Sequence, residues 1–322
     1  MPIDIVIVNW NSGRHLSACL ESIERFSSGL AGSVIVVDNA STTDPLIDLK
    51  RIKIPFEIIR NHDNVGFAAA CAQGARASKN KYLLFLNPDA QLLRDSLRIP
   101  FEFMERPENA RVGICGVQLL DEGECVARHC ARFPTLSRFM ARCVAIDRLP
   151  GLRGAGMHMT DWDHLTTREV DHVIGAFFFV RRTLFDEIGG FDTRFFLYLE
   201  DIDFSLRAHH AGWRSVFLAE AQALHVVGGG TTSQVRPARL FYALRSRIQY
   251  GFKHFTRTEA WLLTLMTVCI EPFSRLLSAT ARGKMAEIRH TLLGYGMLIK
   301  NLPNLVRDAE KVRANAETPW SK

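Results

Sequence analysis

IDIVIV, residues 3–8, is a β-branched run that stops at Asn9, Asn11 and Ser12. It predicts a buried strand ending in a polar loop. The same pattern recurs as VIVV at 34–37, closed by Asp38, Asn39 and Ser41, and as YLLFL at 82–86, closed by NPDA at 87–90. A short strand is expected at 56–59. Between these runs, residues 14–26 place Leu16, Leu20 and Ile23 at helical spacing, and residues 66–78 are Ala-rich and helical. Strands alternating with helices predict an α/β fold built on a parallel sheet. Ligands of such sheets bind at the C-terminal strand ends, where Asn9, Asp38 and Asp89 fall.

The chain has 322 residues, of which 47% are hydrophobic and 23% charged, an ordinary globular composition. The net charge of +6 is concentrated after residue 235. A basic excess suits phosphate-bearing ligands or an anionic membrane surface. The seven cysteines are odd in number and form no CxxC pair, which argues against a disulfide framework or a structural zinc site. Reduced thiols and a cytoplasmic setting follow. MPIDIVIVNW lacks a basic n-region and a long apolar h-region, so it reads as a strand rather than a signal peptide. The apolar run Trp261 to Ile270 is interrupted by Glu271 and Pro272 and reads as too short to span a bilayer. No GxGxxG follows the first strand and no GxxxxGK[ST] occurs, so phosphates must be held by a metal or by basic side chains.

Further along, strands are expected at 112–118, 173–180, 215–218 and 223–227. Residues 121–170 read as loops and short helices over the sheet. Residues 181–191 read as a helix ending at Gly189, and Gly228 to Gly230 as a break. From Pro237 the pattern becomes helical, at 238–254, 258–278 and 284–301, with a frayed tail after about residue 308. The expected division is a domain at 1–235 and a helical extension at 236–322.

In FFLYLEDIDFSLRAHHAGW, residues 195–213, an apolar lead-in delivers Glu200, Asp201 and Asp203 to a helix that stops at Gly212. Such acids cannot all be buried unpaired, so one should face a cleft at the helix start. It is a candidate general base, or else the group is a solvated N-cap. In N-P-D, Pro88 stops the strand and leaves Asp89 exposed, either for a divalent cation bridging to a diphosphate or as an Asx-turn. His225 reads as a metal ligand or a hydrogen-bonded core histidine. Asp38 could accept hydrogen bonds from a base or ribose, or cap the next turn. His62, Asp63 and Asn64, before Gly66, could complete a base pocket, and Trp10 could stack on a ring or lie in the core.

Together VIVNWN, VVDNAS at 36–41, NVGFAAACAQG at 64–74, NPDA, GAFFFVRR at 175–182, FDTRFFLYLEDIDFSLRAHHAGW at 191–213 and LHVVGGG resemble the family 2 glycosyltransferases of the GT-A fold, in particular rhamnosyltransferase-like members. The likeness covers about residues 3–235. It implies an inverting sugar transfer that depends on Mg²⁺ or Mn²⁺, with Asp201 as general base. It implies that Asn9, Asp38, Asn64 and Gly66 contact the nucleotide. Asn87 and Asp89 take the place of the DxD motif, with Asn87 replacing its first acid, and His225 completes the metal site. Cys71-Ala72 departs from the asparagine such sequences often carry. The implied donor is dTDP-L-rhamnose, with a UDP-sugar hexosyl- or galactofuranosyltransferase as the enzymatic alternative and a non-catalytic nucleotide-sugar-binding protein as the other. The implied acceptor is a lipid-linked or cell-surface glycan, reached from the cytoplasmic face of the membrane by a peripheral enzyme or homo-oligomer. Nucleic acid is not an expected partner. For membrane contact, the sequence favours 238–254, where Arg239, Arg245, Arg247 and Lys253 alternate with Phe241, Leu244, Ile248 and Phe252. Residues 258–301 are expected to pack on the sheet or on a second subunit.

Overall fold

The structure is a computed structural model describing residues 1–27, 29–44, 52–146, 151, 154, 156–226 and 235–317. Its contacts divide the chain into two units. The first comprises Met1–Phe133, His158–Phe196 and Glu200–Thr232; the second comprises Pro134–Met157, Leu197–Leu199 and Ser233–Lys322.

The first unit is built on one sheet. Its strands are β1 (Ile3–Asn9), β2 (Ala31–Asp38), β3 (Glu57–Arg60), β4 (Tyr82–Leu86), β5 (Ala90–Leu92), β6 (Val112–Leu120), β7 (Arg168–Val170), β8 (Phe177–Arg181) and β9 (Arg214–His225). They lie in the order β3-β2-β1-β4-β8-β6-β9-β5, with β7 also on β9. Ile3, Ile5 and Ile7 enter one core cluster, and Val6 and Val8 enter the other. β1 is thus buried on both faces, which is why residues 5–8 read as a continuous apolar run. A fully buried side chain of this size contributes about 1.5–3 kcal/mol.

Asp4 interrupts that run and is itself fully buried. It accepts hydrogen bonds from the backbone of Ser33 (2.9 Å), Lys79 (2.7 Å) and Asn80 (2.8 Å). Burial pushes its carboxyl up, but these bonds outweigh burial and hold it below the usual range. The carboxylate ties β1 to the starts of β2 and β4. Helix α2 (Phe67–Ala77) lies close on β1, since a Cβ at Gly74 would stand 2.4 Å from Val6 Cγ1.

The sheet is mainly parallel, as expected, in the half β3-β2-β1-β4 and between β6 and β9, with β8 running antiparallel to both β4 and β6. Two strand expectations change. Residues 173–176 lie outside β8. The two strands expected at 215–218 and 223–227 are one strand, β9, whose register with β6 shifts between Leu218 and Gln222. Gly228 to Gly230 lie outside the described residues. The remaining helices of this unit are α1 (Arg14–Phe26), α3 (Arg98–Glu105), α5 (Arg182–Glu187) and α6 (Glu200–His210).

The second unit holds α4 (Leu136–Cys143), α7 (Arg236–His254), α8 (Arg257–Leu265), α9 (Glu271–Ala281) and α10 (Met285–Glu317). A π-helical turn, Met266–Ile270, joins α8 to α9 without a break. The resulting helix, Arg257–Ala281, is long and apolar enough to cross a membrane by length and composition, which corrects the reading of that run as too short. Glu271 does not end it. This carboxylate is buried between Arg247, which bonds it directly, and Arg275 at 2.7 Å. Burial raises its pKa, but the two guanidinium groups outweigh burial and the net shift is downward. α10 runs on to Glu317, well beyond the expected fraying point.

The membrane expectation for 238–254 is overturned. Phe241, Leu244, Ile248 and Phe252 are buried and form the core of the second unit with Ala260, Tyr295 and Leu298. Arg247 is buried with them. The apolar face of α7 is occupied by other helices and has nothing to insert into lipid.

Candidate active site

The ends of β1 and β2 are in register, with Asn9 opposite Asp38. Both are buried. The Asn9 amide donates to Asp38 Oδ1 (2.7 Å) and to Ser41 Oγ (3.1 Å), and the Ser41 hydroxyl donates to the same Asp38 oxygen (2.6 Å). Asn9 Oδ1 is left buried without a partner among the described residues. A buried acceptor with no donor is costly, so this atom is suited to a donor brought by a ligand.

Asn64 and Gly66 belong to a second hub, centred on buried Asn39. The Asn39 amide donates to Asn64 Oδ1 (2.7 Å), while its own Oδ1 accepts from Asn61 (3.1 Å) and from the Val65 N–H (3.0 Å). Gly66 sits at φ 89°, and a Cβ there would lie 2.6 Å from the Phe196 carbonyl. That carbonyl accepts from the Phe67 N–H at 2.7 Å. Only glycine fits this close approach at a positive φ. His62 and Asp63 are exposed at this turn, and Trp10 is half-buried.

Asp89 and His225 come together through strand pairing, since Ala90 of β5 lies opposite His225 of β9. The Asp89 Oδ1 to His225 Nε2 distance is 3.5 Å. Asn87 is fixed by its backbone N–H to the Ala176 carbonyl (3.0 Å). No group of three or more metal-binding side chains occurs among the described residues. One carboxylate and one imidazole fit a cation that takes its remaining ligands from water and diphosphate oxygens.

The acids of α6 separate into different environments. Asp203 is fully buried and pairs with Arg207 at 2.9 Å. Arg207 also donates to the Ile188 and Gly190 carbonyls (2.6 and 2.7 Å), so this pair is structural. Glu200 is buried, and burial together with the neighbouring Asp201 charge pushes its carboxyl well above the ordinary range. Asp201 keeps 17% of its side chain exposed. Its Oδ2 accepts from the Gly175 N–H (2.9 Å) and lies 3.4 Å from His172 Nε2. His172 Nδ1 meets Ser205 Oγ at 2.9 Å, and that hydroxyl donates to the Asp201 carbonyl at 3.1 Å. Burial acts to raise Asp201, but His172 and the N–H groups of Gly175 and Ile202 outweigh it, so the net shift is downward. Adjacent carboxyls with opposite shifts divide the roles, the environment favouring a proton on Glu200 and charge on Asp201.

The chain enters α6 through two non-glycine residues in the left-handed region, Tyr198 (φ 69°) and Leu199 (φ 65°). Such positions cost of order 1–3 kcal/mol each and concentrate at functional sites.

His129 is buried against His164 and Phe217, neither ring nitrogen has a partner within hydrogen-bond geometry among the described residues, and the Val117 carbonyl is its polar neighbour. Burial, then the charges of His164, His225 and His172, push it down to about 3. Sequence reasoning missed His129, His172, Gly175 and the hub role of Asn39. VDH at 170–172 offered a signal for His172 only as a polar pair ahead of GAFFFV.

The sequence profile described as "Glycosyl transferase family 2" matches residues 4–189. That span includes Asn9, Asp38, Asn64, Gly66, Asn87 and Asp89 and excludes Asp201 and His225. The N-acetylglucosaminyl-diphospho-decaprenol L-rhamnosyltransferase of Mycobacterium tuberculosis (strain CDC 1551 / Oshkosh) is 26% identical over 235 residues, covering 69% of this chain and 75% of the relative. Rhamnosyltransferase WbbL of Escherichia coli (strain K12) is 30% identical over 165 residues, covering 51% and 59%. Among solved structures, the mannosyltransferase PcManGT from Pyrobaculum calidifontis, in complex with GDP-Man and Mn²⁺, superposes with TM-score 0.55 at 14% identity, covering 94% of this chain and 87% of that one. At that identity the likeness concerns the fold, which is GT-A.

Proposed function

The chain belongs to glycosyltransferase family 2, and from that premise we propose that it is an inverting rhamnosyltransferase using dTDP-L-rhamnose. The acceptor is a hydroxyl of a lipid-linked or cell-surface glycan, met at the cytoplasmic face of the membrane. Residues 1–235 carry the transfer chemistry, and 236–322 are the helical extension. The observation that carries the reading is the Asp201 carboxylate, held ionised by His172 and Gly175 in a unit that also pairs Asp89 with His225. The donor and acceptor class are suggested by the names of the mycobacterial and Escherichia coli relatives.

In this reading Asp201 takes the proton of the acceptor hydroxyl as that oxygen attacks the anomeric carbon. The bond from that carbon to the diphosphate breaks on the opposite face, and the nucleoside diphosphate leaves. Asp89 and His225 would hold Mg²⁺ or Mn²⁺, which supplies positive charge to the departing diphosphate. Asn87 lies beside them. Asn9, Asp38, Asn64 and Gly66 hold the nucleoside, where the unpaired Asn9 Oδ1 suits the N–H edge of a pyrimidine base. Glu200, whose surroundings favour its protonated form, leaves the base work to Asp201.

A donor screen tests the substrate. With Mn²⁺ present, dTDP-L-rhamnose at about 100 times its Kd should stabilise the native state by about 2.7 kcal/mol, a rise of several degrees in Tm. A UDP-hexose at the same concentration should give a smaller rise. A larger shift and faster turnover with a UDP-sugar would replace the rhamnosyl assignment.

His172 is a positioning residue, and its test is a pH profile. Its effect on Asp201 is to lower the carboxyl, so Asp201 remains an ionised base as the pH falls. In His172→Leu that carboxyl protonates at higher pH, and the acid limb of kcat/KM moves upward. The rate deficit should shrink at alkaline pH, where both proteins are ionised. A deficit that is the same at every pH would make His172 merely structural.

A further inference from the structure

The helix Arg257–Ala281 presents a continuous apolar stripe to solvent. Trp261, Leu262, Leu265, Ile270, Phe273 and Leu277 line it, with Phe273 at 72% and Leu277 at 73% exposure. At 1.5 Å per residue the stripe from 261 to 277 is about 24 Å long. The charged residues within that span are Glu271 and Arg275. Glu271 is buried and Arg275 is bound to it. The stripe itself therefore carries no charge. An exposed apolar patch of this extent marks an interaction surface.

Charge identifies what covers it. Residues 233–322 contain fifteen Lys and Arg against six Asp and Glu. Arg257, paired with Glu310, stands at one end of the stripe, and Arg282 and Lys284, which share the single carboxylate of Glu287, stand beyond the other, all three cations with exposed side chains. A second copy meeting the stripe across a twofold axis would oppose like charges, because such an interface is self-complementary. An anionic lipid surface accepts both the apolar groups and the cations.

We propose that the helical unit docks on an anionic lipid surface through this stripe, with the helix lying in the plane of the headgroups. The opposite side of the same helix excludes a spanning arrangement. Ala260, Leu263, Thr264, Thr267, Glu271 and Ala279 are buried within the second unit. One face is thus committed to protein and an ion pair, and the other is free for lipid, which is the pattern of an interfacial helix. The docking element is α8–α9, not the basic helix α7.

The test uses the full chain with vesicles and no sugar donor or acceptor, so its outcome is independent of the transfer reading. The protein should sediment with phosphatidylcholine–phosphatidylglycerol vesicles, less with phosphatidylcholine alone, and less as salt rises. Leu265→Ser, Phe273→Ser and Leu277→Ser combined should weaken partition by roughly 100-fold or more, since each removes a large apolar group from lipid. Because all three side chains are exposed, the melting temperature should stay near that of the native chain. A native chain that stays in the supernatant with anionic vesicles at low salt overturns the proposal, as does a triple variant that binds equally well. A dimer that the triple variant dissociates, without vesicle binding by the native chain, assigns the stripe to a second copy instead.

Discussion

Asp201→Asn is expected to slow sugar transfer by roughly two to four orders of magnitude, the range for loss of a general base. The amide keeps the shape and can still accept from the Gly175 N–H, so the fold and donor binding should persist. The decisive comparison is Glu200→Gln. Burial and the adjacent carboxylate favour the protonated form of Glu200. Replacing it with a neutral amide of the same shape should leave the rate within a few-fold of native. Steady-state rates at saturating donor, with donor affinity measured separately, separate the two variants. If Glu200→Gln is the crippled protein and Asp201→Asn transfers normally, the roles of the two acids are reversed.

Chelation is expected to have an effect of similar order. Cation stabilisation of a departing diphosphate amounts to several kcal/mol, and each ~1.4 kcal/mol is tenfold in rate. EDTA should therefore lower transfer by roughly 100-fold or more, with recovery on adding Mn²⁺ or Mg²⁺. Asp89→Ala should raise the cation concentration needed, and His225→Ala should raise it less, because an imidazole is a weaker ligand than a carboxylate for Mg²⁺. Calorimetric titration provides a check without turnover. Two protein ligands should bind Mn²⁺ weakly alone and more tightly with a nucleoside diphosphate present. Full activity in EDTA would remove the cation and make Asp89 a turn residue.

Much of the first unit was legible because its signals are local. β1 apart from Asp4, β2 over residues 34–37, and β4 read as apolar runs closed by polar residues, and α1 has clear helical spacing. What escaped reading depends on partners distant in sequence. Nothing in GAFFFVRR reveals that β8 enters antiparallel between β4 and β6, since a strand buried on both faces reads alike in either direction. β9 looked like two strands because Ala219 to Ala221 loosen its register against β6. In α7, alternating arginines and large apolar groups gave a membrane signal. Composition cannot show that Arg247 is claimed by Glu271, or that Phe241, Leu244, Ile248 and Phe252 face other helices. The site was legible in part for the same reason. Asn9, Asp38 and Asp89 stand at strand ends, which sequence can mark. His172 acts on Asp201, 29 positions away by the numbering of the chain, and only the fold brings them within 3.4 Å.

The strand order also bears on how the chain is made. During synthesis the segment from β1 through β4 can pair within itself, in the order β3-β2-β1-β4. One edge of β4 must then wait, uncovered, until β8 leaves the ribosome. β6 emerges before either of its neighbours, β8 and β9, exists. Such late, non-local pairings fold slowly and leave strand edges open to wrong partners. Asp89 is made early, but the Ala90–His225 pairing that brings it beside the histidine cannot form until β9 is complete. A nascent chain halted before His225 would already hold the Asn9–Asp38 end of the sheet and would lack the means to assemble the proposed cation site.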